Sequence, residues 1–408
     1  MNTVKQKIKK TKFPLLRFLE FTDSWTSILI EEIINRVSKP VDVEATTLYQ
    51  QIGIRSHGKG IFYKEHVTGK SLGNKRVFWV QPNMFIVNIV FAWEHAVART
   101  TEKELGMIAS HRFPMYEPIK NKVDLDFLMY FFLRKRGKYL LGLASPGGAG
   151  RNKTLGQQTF AKLKVNIPTL PEQQKIANFL SSVDKKIEQL RQKVSLLEDY
   201  KKGVMQQIFS QQIRFKDDNG EAFVDWEVSS LGKKAIIGKG FTPSTKDSKY
   251  WKGTNKWLSI ADMRQGKYIF DTKKKITDIA IKGKQVLKEG TLIMSFKLTL
   301  GRLGIIQSKM FTNEAICNFK WKDNSISTQY MYYYLSSINV KSFGSQAAKG
   351  ITLNNASLDS ITVKLPVYKE QQKIANFLSS IDDKIQQTQT QLAQTQQFKK
   401  GLLQQMFV

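Results

Sequence analysis

Two sets of polar side chains in this sequence could anchor phosphates and contact the edges of nucleic-acid bases. A guanidinium or amide group can make paired hydrogen bonds with a base edge, whereas a lysine or hydroxyl group binds a phosphate oxygen. The candidates in the first half of the chain are Arg55, His57, Lys59, Lys75, Trp93, His95, Arg99, Arg112, Arg151, Asn152, Lys153 and Thr154. Those in the second half are Lys239, Thr242, Ser244, Lys246, Lys297, Thr299, Arg302, Lys349, Thr352 and Asn354. Each of these residue types is also common as a solvated charge or a packed ring, so their role depends on the elements that bring them together.

The sequence lacks the motifs of the common catalytic centres. It contains no Gly-x-x-x-x-Gly-Lys-Ser/Thr loop for nucleotide phosphates, no HExxH metal motif, and no Asn-Pro-Pro-Tyr/Phe, with which adenine methylases hold their target amino group. The four histidines, His57, His66, His95 and His111, do not have metal-ligand spacing, and the short segments GKG and GKGF are typical of tight turns. No catalytic, metal-binding or cofactor-binding residues are therefore predicted in this chain.

The composition is typical of a folded protein with two or three domains. A chain of 408 residues exceeds one ordinary core, and its 41% hydrophobic and 11% aromatic content argues against disorder. No uncharged apolar segment approaches the roughly 20 residues that span a membrane. Cys317 is the only cysteine, and the start MNTVKQKIKKTKF lacks the apolar core of a signal peptide. We therefore expect a soluble, cytoplasmic protein.

Positive charge is concentrated in two separate segments. The 64 Lys and Arg residues outnumber the 34 Asp and Glu residues, for a net charge of +30. Residues 1–170 carry +14 and residues 213–365 carry +12, whereas 171–212 and 366–408 carry only +2 each. Two cationic segments favour two bodies that bind a polyanion, most simply nucleic acid. An acidic protein partner or an anionic membrane would also explain the charge.

The nearly neutral segments are copies of one another. EQQKIANFLSS occurs at 172–182 and at 370–380, and residues 167–209 and 365–407 share 22 of 43 residues at a shift of 198. In the first copy, apolar residues recur at steps of four and three, interrupted only at Lys201: Ile176, Leu180, Val183, Ile187, Leu190, Val194, Leu197, Val204 and Ile208. The second copy keeps Ile374, Leu378, Ile381, Ile385, Leu392, Leu402 and Met406, with Thr388, Thr395 and Lys399 on the same seam. This heptad pattern predicts two long helices, the first spanning Glu172 to Phe209 over about 57 Å.

A helix of this length with one apolar stripe must bury that stripe against a partner in water. Each copy could pair with another chain, or the two copies could pair antiparallel within one chain. The intramolecular pair is favoured because one copy has a complete seam and the other an interrupted one, as in a mismatched pair. Lys201 and Lys399 occupy the same seam position and could set the register.

The two charged segments share a pattern of elements but little sequence. FLEFTDSW and FVDW each end in a tryptophan, at Trp25 and Trp226. MFIVNIVF and GTLIMSF indicate strands, and the aromatic runs LDFLMYFFLRK and TQYMYYYLSS indicate helices. A polar loop and a short apolar strand then precede each long helix. Each segment is therefore predicted to be a mixed α/β domain.

The predicted fold class is α+β, with two mixed α/β domains separated by two long helices that form an antiparallel intramolecular coiled coil of pseudo-twofold symmetry. The predicted boundaries are 1–166 for the first domain, 167–212 for the central helix, 213–364 for the second domain and 365–408 for the C-terminal helix. Because the helices are alike and the domains are not, we expect a shared scaffold that carries two domains with different binding sites on one polymer.

This alternation resembles the specificity subunit of type I restriction-modification enzymes over essentially the whole chain. The segments that carry the resemblance are LPEQQKIANFLSSVDKKI at 170–187 with its copy in the second helix, FTPSTKDSKYW at 241–251, KWLSIADM at 256–263, MSFKLTLGRLGI at 294–305 and TNEAIC at 312–317. The first domain matches more loosely. The resemblance implies that each domain is a target recognition domain, which reads half of an asymmetric bipartite DNA site.

The resemblance also implies partners and cofactors. The helices would set the spacer between the half-sites and dock two methyltransferase (modification) subunits, which modify adenines with S-adenosylmethionine. Restriction/translocase subunits would add ATP- and Mg²⁺-dependent translocation and cleavage of unmodified double-stranded DNA. This chain would be the non-catalytic subunit of that adenine methyltransferase and ATP-dependent endonuclease, with no cofactor of its own.

Two other functions are compatible with the residues. A free-standing DNA-modifying enzyme would act without partner subunits, which the missing motifs disfavour. A coiled-coil scaffold would use its charge only to recruit anionic partners, and a flat salt dependence of DNA binding would identify it, because phosphate contacts give a steep one.

Overall fold

The computed structural model describes residues 13–147, 153–297, 299–347 and 350–408. The chain divides into two compact units, Met1–Arg191 with Thr390–Val408, and Gln192–Gln389. We refer to residues 13–169 as the first head and to residues 210–367 as the second head. Because both divisions fall inside long helices, each unit contains one head together with part of each long helix.

The first head contains two four-stranded sheets and a two-stranded ribbon. Its strands are β1 (Thr26–Leu29), β2 (Ile34–Val37), β3 (Leu48–Ile54), β4 (Ile61–Thr68), β5 (Val77–Trp79), β6 (Phe85–Val87), β7 (Val97–Arg99), β8 (Ile108–Ser110), β9 (Met115–Pro118) and β10 (Lys164–Ile167). The sheets have the orders β2-β9-β6-β7 and β4-β3-β8-β5, and β1 pairs with β10. The helices are α1 (Gly69–Leu72), α2 (Leu125–Leu133), α3 (Lys135–Leu143) and α4 (Gln157–Ala161), followed by the long helix α5 (Leu170–Phe209).

The second head contains a five-stranded and a three-stranded sheet. Its strands are β11 (Glu227–Ser230), β12 (Ala235–Lys239), β13 (Trp251–Leu258), β14 (Tyr268–Ile269), β15 (Lys274–Ile276), β16 (Leu292–Ser295), β17 (Leu303–Ile306), β18 (Phe311–Thr312), β19 (Ile316–Trp321), β20 (Ser345–Ala347), β21 (Gly350–Thr352) and β22 (Thr362–Leu365). The sheet orders are β12-β19-β16-β17-β14 and β15-β13-β18, with two ribbons, β11-β22 and β20-β21. The helices are α6 (Leu231–Lys234), α7 (Asp278–Ile281), α8 (Thr328–Ser337) and α9 (Asn355–Asp359), followed by the long helix α10 (Tyr368–Gln405).

Most of the elements predicted from apolar and aromatic runs are confirmed. The two aromatic runs form α2 and α8, and GTLIMSF contains β16. MFIVNIVF forms a strand only as far as Val87, so the longer strand was wrong. The buried Asn88 side chain accepts a hydrogen bond from the Val90 amide at 3.1 Å, which turns the chain at that point. The polar loops before the long helices also contain elements that were not predicted, the helices α4 and α9 and the ribbon β20-β21.

The aromatic helices α2 and α8 join each head to the long helices. In the first unit, the buried Phe127 and Phe131 of α2 belong to one core with Leu180 of α5 and Leu402 of α10. In the second unit, Tyr330 and Tyr334 of α8 belong to the equivalent core with residues from both long helices. The core of each head is therefore continuous with the apolar face of its long helices, and the hydrophobic effect holds head and helices together.

The long helices pair antiparallel within the chain. In the first unit the beginning of α5 packs with the end of α10, and in the second unit the end of α5 packs with the beginning of α10. The seam predicted from the heptads is buried at Ile176 and Leu180 and again at Ile374 and Leu378. The helix α5 has 40 residues and begins two residues earlier than predicted, with Pro171 in its first turn, where its missing N–H is not needed.

A lysine, an aspartate and a tyrosine form the same contact in both units. Lys399 Nζ lies 2.5 Å from Asp184 Oδ1, and the Tyr130 hydroxyl donates to Asp184 Oδ2 at 2.8 Å. Lys201 Nζ lies 2.5 Å from Asp382 Oδ1, and the hydroxyl of Tyr333 donates to Asp382 Oδ2 at 2.6 Å. Each lysine predicted to set the register thus forms an ion pair across the helix pair. Because the tyrosine belongs to α2 in the first unit and to α8 in the second, the same aspartate also binds the aromatic helix of the head.

The repeated Glu-Gln pair explains why the start of each long helix is the same in both copies. The buried Glu172 carboxylate accepts hydrogen bonds from Arg17 Nε at 2.8 Å and from Trp25 Nε1 at 3.3 Å. The equivalent Glu370 accepts from Arg214 Nη2 at 3.0 Å and from Trp226 Nε1 at 3.1 Å. Each of the two tryptophans noted in the sequence therefore binds the first turn of one long helix, Trp25 that of α5 and Trp226 that of α10.

The glutamine that follows holds the aromatic helix of the head. Gln173 Oε1 accepts a hydrogen bond from the Asp124 amide at 2.9 Å, and Asp124 is the N-cap of α2. Gln371 Oε1 accepts from the Ser327 amide at 2.8 Å, and Ser327 is the N-cap of α8. Both glutamine side chains are buried. Because buried polar groups need partners, these residues can be exchanged only at a cost in stability.

The predicted domain boundaries at 166, 212 and 364 remain a prediction. The compact units separate at 191 and at 389, inside α5 and α10, because each head packs against parts of both helices.

Candidate nucleic-acid interface

In the first head, the turn after β3 is hydrogen bonded to a short 3-10 helix, Ala92–Glu94, which precedes β7. The His57 amide donates to the Glu94 carbonyl at 2.7 Å, and the Gly58 amide donates to the His95 carbonyl at 2.9 Å. The Ser56 hydroxyl adds a bond to the Glu94 carboxylate at 2.9 Å. These bonds bring together five of the candidates from the sequence, Arg55, His57, Lys59, Trp93 and His95.

Two further segments join this group. Lys153 Nζ lies 5.6 Å from the centroid of the Trp93 ring, a cation–π contact. The Leu155 amide donates to the Ile89 carbonyl, and the Ile89 amide donates to the Arg112 carbonyl at 3.0 Å, so Arg112 and Thr154 lie next to the same strand end. The first head thus presents a cationic surface, which we refer to as the first loop cluster: Arg55, His57, Lys59, Trp93, His95, Arg112, Lys153 and Thr154.

The two histidines of the first loop cluster differ in exposure. Both have a positive φ, 63° at His57 and 64° at His95, which is uncommon for residues other than glycine. His57 is exposed, whereas His95 is half-buried and its Nε2 lies 3.1 Å from the Arg134 carbonyl oxygen. Burial lowers the pKa of His95. Its imidazole is therefore neutral at neutral pH and donates its Nε2–H to that carbonyl.

The structure places the other candidates of the first head differently. Arg99 lies at the far end of β7, where its guanidinium forms an ion pair with Asp126 of α2 and donates to Asn83 Oδ1 at 3.1 Å. Lys75 is exposed in the turn two residues before β5. Arg151 and Asn152 lie outside the described residues.

In the second head, five candidates lie at one end of the five-stranded sheet. Lys239 ends β12, and Lys297 follows β16; their Nζ atoms lie 5.0 Å and 5.7 Å from the centroid of the Phe296 ring. The Gly240 and Phe296 amides donate to the carbonyls of Ile316 and Ala315, which ties these strand ends together. The turn between β16 and β17 adds Thr299 and the half-buried Arg302. We refer to this group as the second loop cluster: Lys239, Thr242, Lys297, Thr299 and Arg302.

Two candidates of the second head are already used as structural contacts. The Thr242 hydroxyl donates to the Glu314 carboxylate. Asn354 is the N-cap of α9, where its Oδ1 accepts from the Ser357 amide at 2.8 Å. Lys349 and the side chain of Thr352 lie outside the described part of the chain.

A lysine-rich pocket on the three-stranded sheet was missed by the sequence reasoning. It is a cavity of about 530 Å³ whose lining is Thr245, Trp251, Lys252, Gly253, Lys273, Lys274 and Lys275. Lys274 Nζ lies 5.3 Å from the centroid of the Trp251 ring. The register of β13 shifts between Trp251 and Asn255, and Lys252 has a φ of 64°, so a bulge exposes this lysine. The candidates Ser244 and Lys246 lie on the exposed segment that leads to Trp251.

A signal for this pocket was present in the sequence as the run of three lysines at 273–275. A short run of lysines is by itself most often a solvated strand edge, so the run alone does not indicate a pocket. Only the pairing of β15 with β13 places Trp251 and Lys252 beside it.

The described residues contain no group of three or more His, Cys, Asp or Glu side chains that could hold a metal ion. Cys317 is buried, and burial raises the pKa of its thiol to about 12, so this thiol is a poor nucleophile. None of the helices in the part of the chain that the structure describes is long and apolar enough to cross a membrane.

Comparison with known families agrees with this arrangement of two heads. A family model described as the type I restriction modification DNA specificity domain matches residues 81–198 and, a second time, residues 223–397. The chain belongs to this family. The resemblance found in its residues is thereby confirmed, and the role of the chain in a type I restriction-modification system is DNA sequence specificity. Specificity subunits are the non-catalytic subunits of such systems, so neither a free-standing enzyme nor a scaffold is favoured.

Individual specificity subunits match over most of their length. The MjaVIII type I restriction enzyme specificity subunit of Methanocaldococcus jannaschii is 25% identical over 428 residues, which cover 99% of this chain and 96% of the relative. The MjaX specificity subunit of the same organism is 27% identical over 301 residues, 71% of this chain and 68% of the relative. The type I restriction-modification S subunit of M. genitalium has the same fold, with a TM-score of 0.57 at 15% identity, over 97% of this chain and 99% of that structure.

Proposed function

We propose that the two heads read two different half-sites of one asymmetric DNA site. The observation that carries this proposal is that the same contact holds each head to its long helix, whereas the exposed clusters of the two heads differ. This contact, which we refer to as the joint, is the set of hydrogen bonds to Glu172 in the first unit and to Glu370 in the second. The first loop cluster lies on a turn of β3 and a short helix, whereas the second lies on the ends of β12 and β16. Equivalent joints with unlike clusters favour two different sequences on one polymer.

The residues of the clusters divide by their chemistry. Arg55, Arg112 and Arg302 have the planar fork that base edges require in the major groove. The lysine-rich pocket is lined by Lys252, Lys273, Lys274 and Lys275 together with Trp251 and has no carboxylate in its lining, which suits phosphate contacts rather than base recognition. The half-buried His95 and the ion-paired Arg99 act in this proposal by positioning their neighbours.

We infer that two copies of one partner bind the long helices, as expected for two methyltransferase subunits. Five polar residues are exposed in both copies of the repeat and are identical between them: Gln174 and Gln372, Asn178 and Asn376, Ser182 and Ser380, Lys186 and Lys384, and Gln189 and Gln387. Their spacing of four, four, four and three places them on one face of each helix. Exposed positions tolerate most polar residues, yet this face is unchanged while buried seam positions such as Val183 and Ile381 differ.

The remaining partners and cofactors follow from the type I system. We propose that S-adenosylmethionine is bound by the methyltransferase subunits, which modify adenines, and that ATP and Mg²⁺ are bound by restriction/translocase subunits that cut unmodified DNA. The complex would act on double-stranded DNA in the cytoplasm. The long helices would set the number of unread base pairs between the half-sites.

Mapping of methylated adenines in host DNA, with and without this gene, tests the proposal. We expect a bipartite motif with two unlike half-sites and a fixed gap, which disappears when the gene is deleted. Footprinting of the complex with its methyltransferase subunits should then protect both half-sites. A single continuous motif, or methylation by the purified chain alone, would contradict the proposal.

A further inference from the structure

The first unit contains a cationic cavity that the proposed reading of DNA does not use. It has a volume of about 430 Å³ and lies between the end of α2, the start of α3 and the last turns of α10. Its lining residues are Leu133, Arg134, Lys135, Arg136, Gln396, Lys399, Lys400, Leu403 and Gln404. Five of these nine residues are cations, and none is a carboxylate.

Arg134 is a buried cation without an anionic partner in this cavity. Arg134 is only 9% exposed, and its guanidinium packs on two aromatic rings. Its Cζ atom lies 4.7 Å from the centroid of the Phe131 ring and 4.3 Å from that of the Phe407 ring. Nε donates to the Phe131 carbonyl at 3.4 Å, but Nη2 is buried and has no hydrogen-bond partner among the described residues. Burial lowers the pKa of Arg134 to about 9. A buried donor of this kind costs free energy unless a ligand accepts its hydrogen bond.

The neighbouring cations are not neutralised within the lining. Lys399 is bound to Asp184, which is not a lining residue, and the Arg136 guanidinium lies over the Tyr139 ring at 5.1 Å. Lys135 and Lys400 are exposed. An anion that entered the cavity would meet three cations besides Arg134 and the paired Lys399.

The second unit has the equivalent cavity with a different charge. The N-caps of α2 and α8 align Arg134 with Ser337, whose hydroxyl donates to the Tyr334 carbonyl at 2.7 Å. That cavity contains Lys201 and Lys202 at the positions of Lys399 and Lys400, but its lining also includes Glu198. The unsatisfied guanidinium is therefore particular to the first unit rather than a consequence of the repeat.

We propose that the cavity of the first unit binds a phosphate-type oxyanion, with Arg134 and Lys400 as its principal ligands. A dianion suits the surplus of positive charge better than a single carboxylate does. A phosphate can accept hydrogen bonds from the edge of a guanidinium and from several ammonium groups at once, and charge-assisted bonds of this kind are strong. The ring sandwich fixes the guanidinium in advance, so little side-chain entropy is lost on binding.

Titration of the chain with inorganic phosphate, at constant ionic strength set with NaCl, tests the site by calorimetry and by thermal unfolding. We expect saturable binding and a rise in the unfolding temperature. Lys400→Ala should weaken phosphate binding about tenfold, the loss of about one charge-assisted bond. Arg134→Leu should remove it. Lys202→Ala is the matched control, because Lys202 occupies the equivalent position in the second unit and should have no effect.

The source of the phosphate is separated by a second titration with a non-specific duplex DNA. If Lys400→Ala also lowers the affinity for duplex DNA, and phosphate competes with the duplex for binding, the ligand is the DNA backbone. If the affinity for duplex DNA is unchanged, the ligand is a free phosphate compound. Both outcomes support the site. Absence of saturable phosphate binding at constant ionic strength, or an equal loss in Lys202→Ala, would overturn it, and neither result bears on the half-site proposal.

Discussion

At the scale of single residues, the buried Glu172 and Glu370 define how a head meets a helix. Each carboxylate is buried and accepts hydrogen bonds from an arginine and a tryptophan in the first residues of its head. Buried ion pairs contribute little net stability compared with apolar packing, but loss of one partner leaves an uncompensated charge. The geometry therefore fixes the angle of the joint more than it adds stability.

Glu370→Ala is expected to lower the free energy of unfolding of the second unit by about 3 kcal/mol, because the Arg214 guanidinium and the Trp226 indole lose their acceptor. Urea unfolding followed by tryptophan fluorescence measures this change. Glu188→Ala, on the exposed face of α5, is the control and should change stability by less than about 0.5 kcal/mol. Equal effects of both substitutions would refute the role of the joint.

We expect the half-buried His95 to make the first head less stable in acid. Because burial lowers its folded pKa, the unfolded chain binds a proton first as pH falls through about 6.5, and stability is then lost. We expect His95→Asn, which tolerates the positive φ, to remove part of the loss of stability between pH 7 and pH 5. Asn83→Asp, at another residue of the first head with a positive φ and no histidine, is the control for changes made at such a backbone position. Unfolding temperatures at both pH values give the comparison.

Lys274 represents the phosphate contacts of the lysine-rich pocket. Lys274→Ala should weaken DNA binding by similar factors for cognate and unrelated sequences, and the slope of log affinity against log salt should fall by about 1. Arg302→Ala, by contrast, should weaken cognate DNA preferentially. Lys193→Ala, on the exposed surface of α5, serves as the control. A sequence-selective effect of Lys274→Ala would assign this pocket to base reading instead.

At the scale of elements, the pairing of α5 with α10 depends on polar contacts as well as on the apolar seam. The seam of α10 includes the buried Thr388, whose hydroxyl donates to the Lys384 carbonyl at 2.7 Å and is thus satisfied within its own helix. A seam weakened in this way leaves the register to the Lys–Asp–Tyr contacts. The same contact occurs once in each unit.

A double-mutant cycle of Lys399→Met and Asp184→Asn should give a coupling energy of about 1 kcal/mol, because the pair is partly buried and shares a tyrosine. The cycle of Lys201→Met and Asp382→Asn is the internal control and should agree within about 0.5 kcal/mol. Chemical denaturation measures all of the variants. Coupling near zero in both cycles would assign the register to the apolar seam alone.

At the scale of the whole molecule, the repeat provides a common scaffold and the heads provide specificity. The joints and the exposed polar face are the same in both copies, whereas the loop clusters differ in position and in chemistry. Because of this division, the sequence of one head can change while the exposed polar face that would bind the partner subunits stays the same.

Insertion of one heptad into both α5 and α10, at matched positions in the antiparallel pair, should lengthen the pair by about 10 Å, or about 3 base pairs. We expect the methylated motif to gain about that number of unread bases while both half-sites stay the same. Insertion into one helix alone breaks the register and should abolish methylation. An altered half-site in the double insertion would show that the helices also shape the heads.

Much of this molecule was determined by the sequence itself. The heptads predicted the long helices, and the aromatic runs predicted α2 and α8, because these signals depend on contacts between residues three or four apart. Net charge and its division into two segments also need no structure. The repeat and the motifs of the second head were sufficient to indicate the family.

The tertiary structure alone decided which polar residues act together. Arg55 and Trp93 share a surface because backbone bonds join two distant turns, whereas Arg99, close to Trp93 in sequence, is neutralised by Asp126. Trp251 and Lys274 meet only through strand pairing, and the unsatisfied Arg134 is visible only once Phe407 packs against it. Such contacts lie between residues far apart in the chain, and a local pattern carries no information about them.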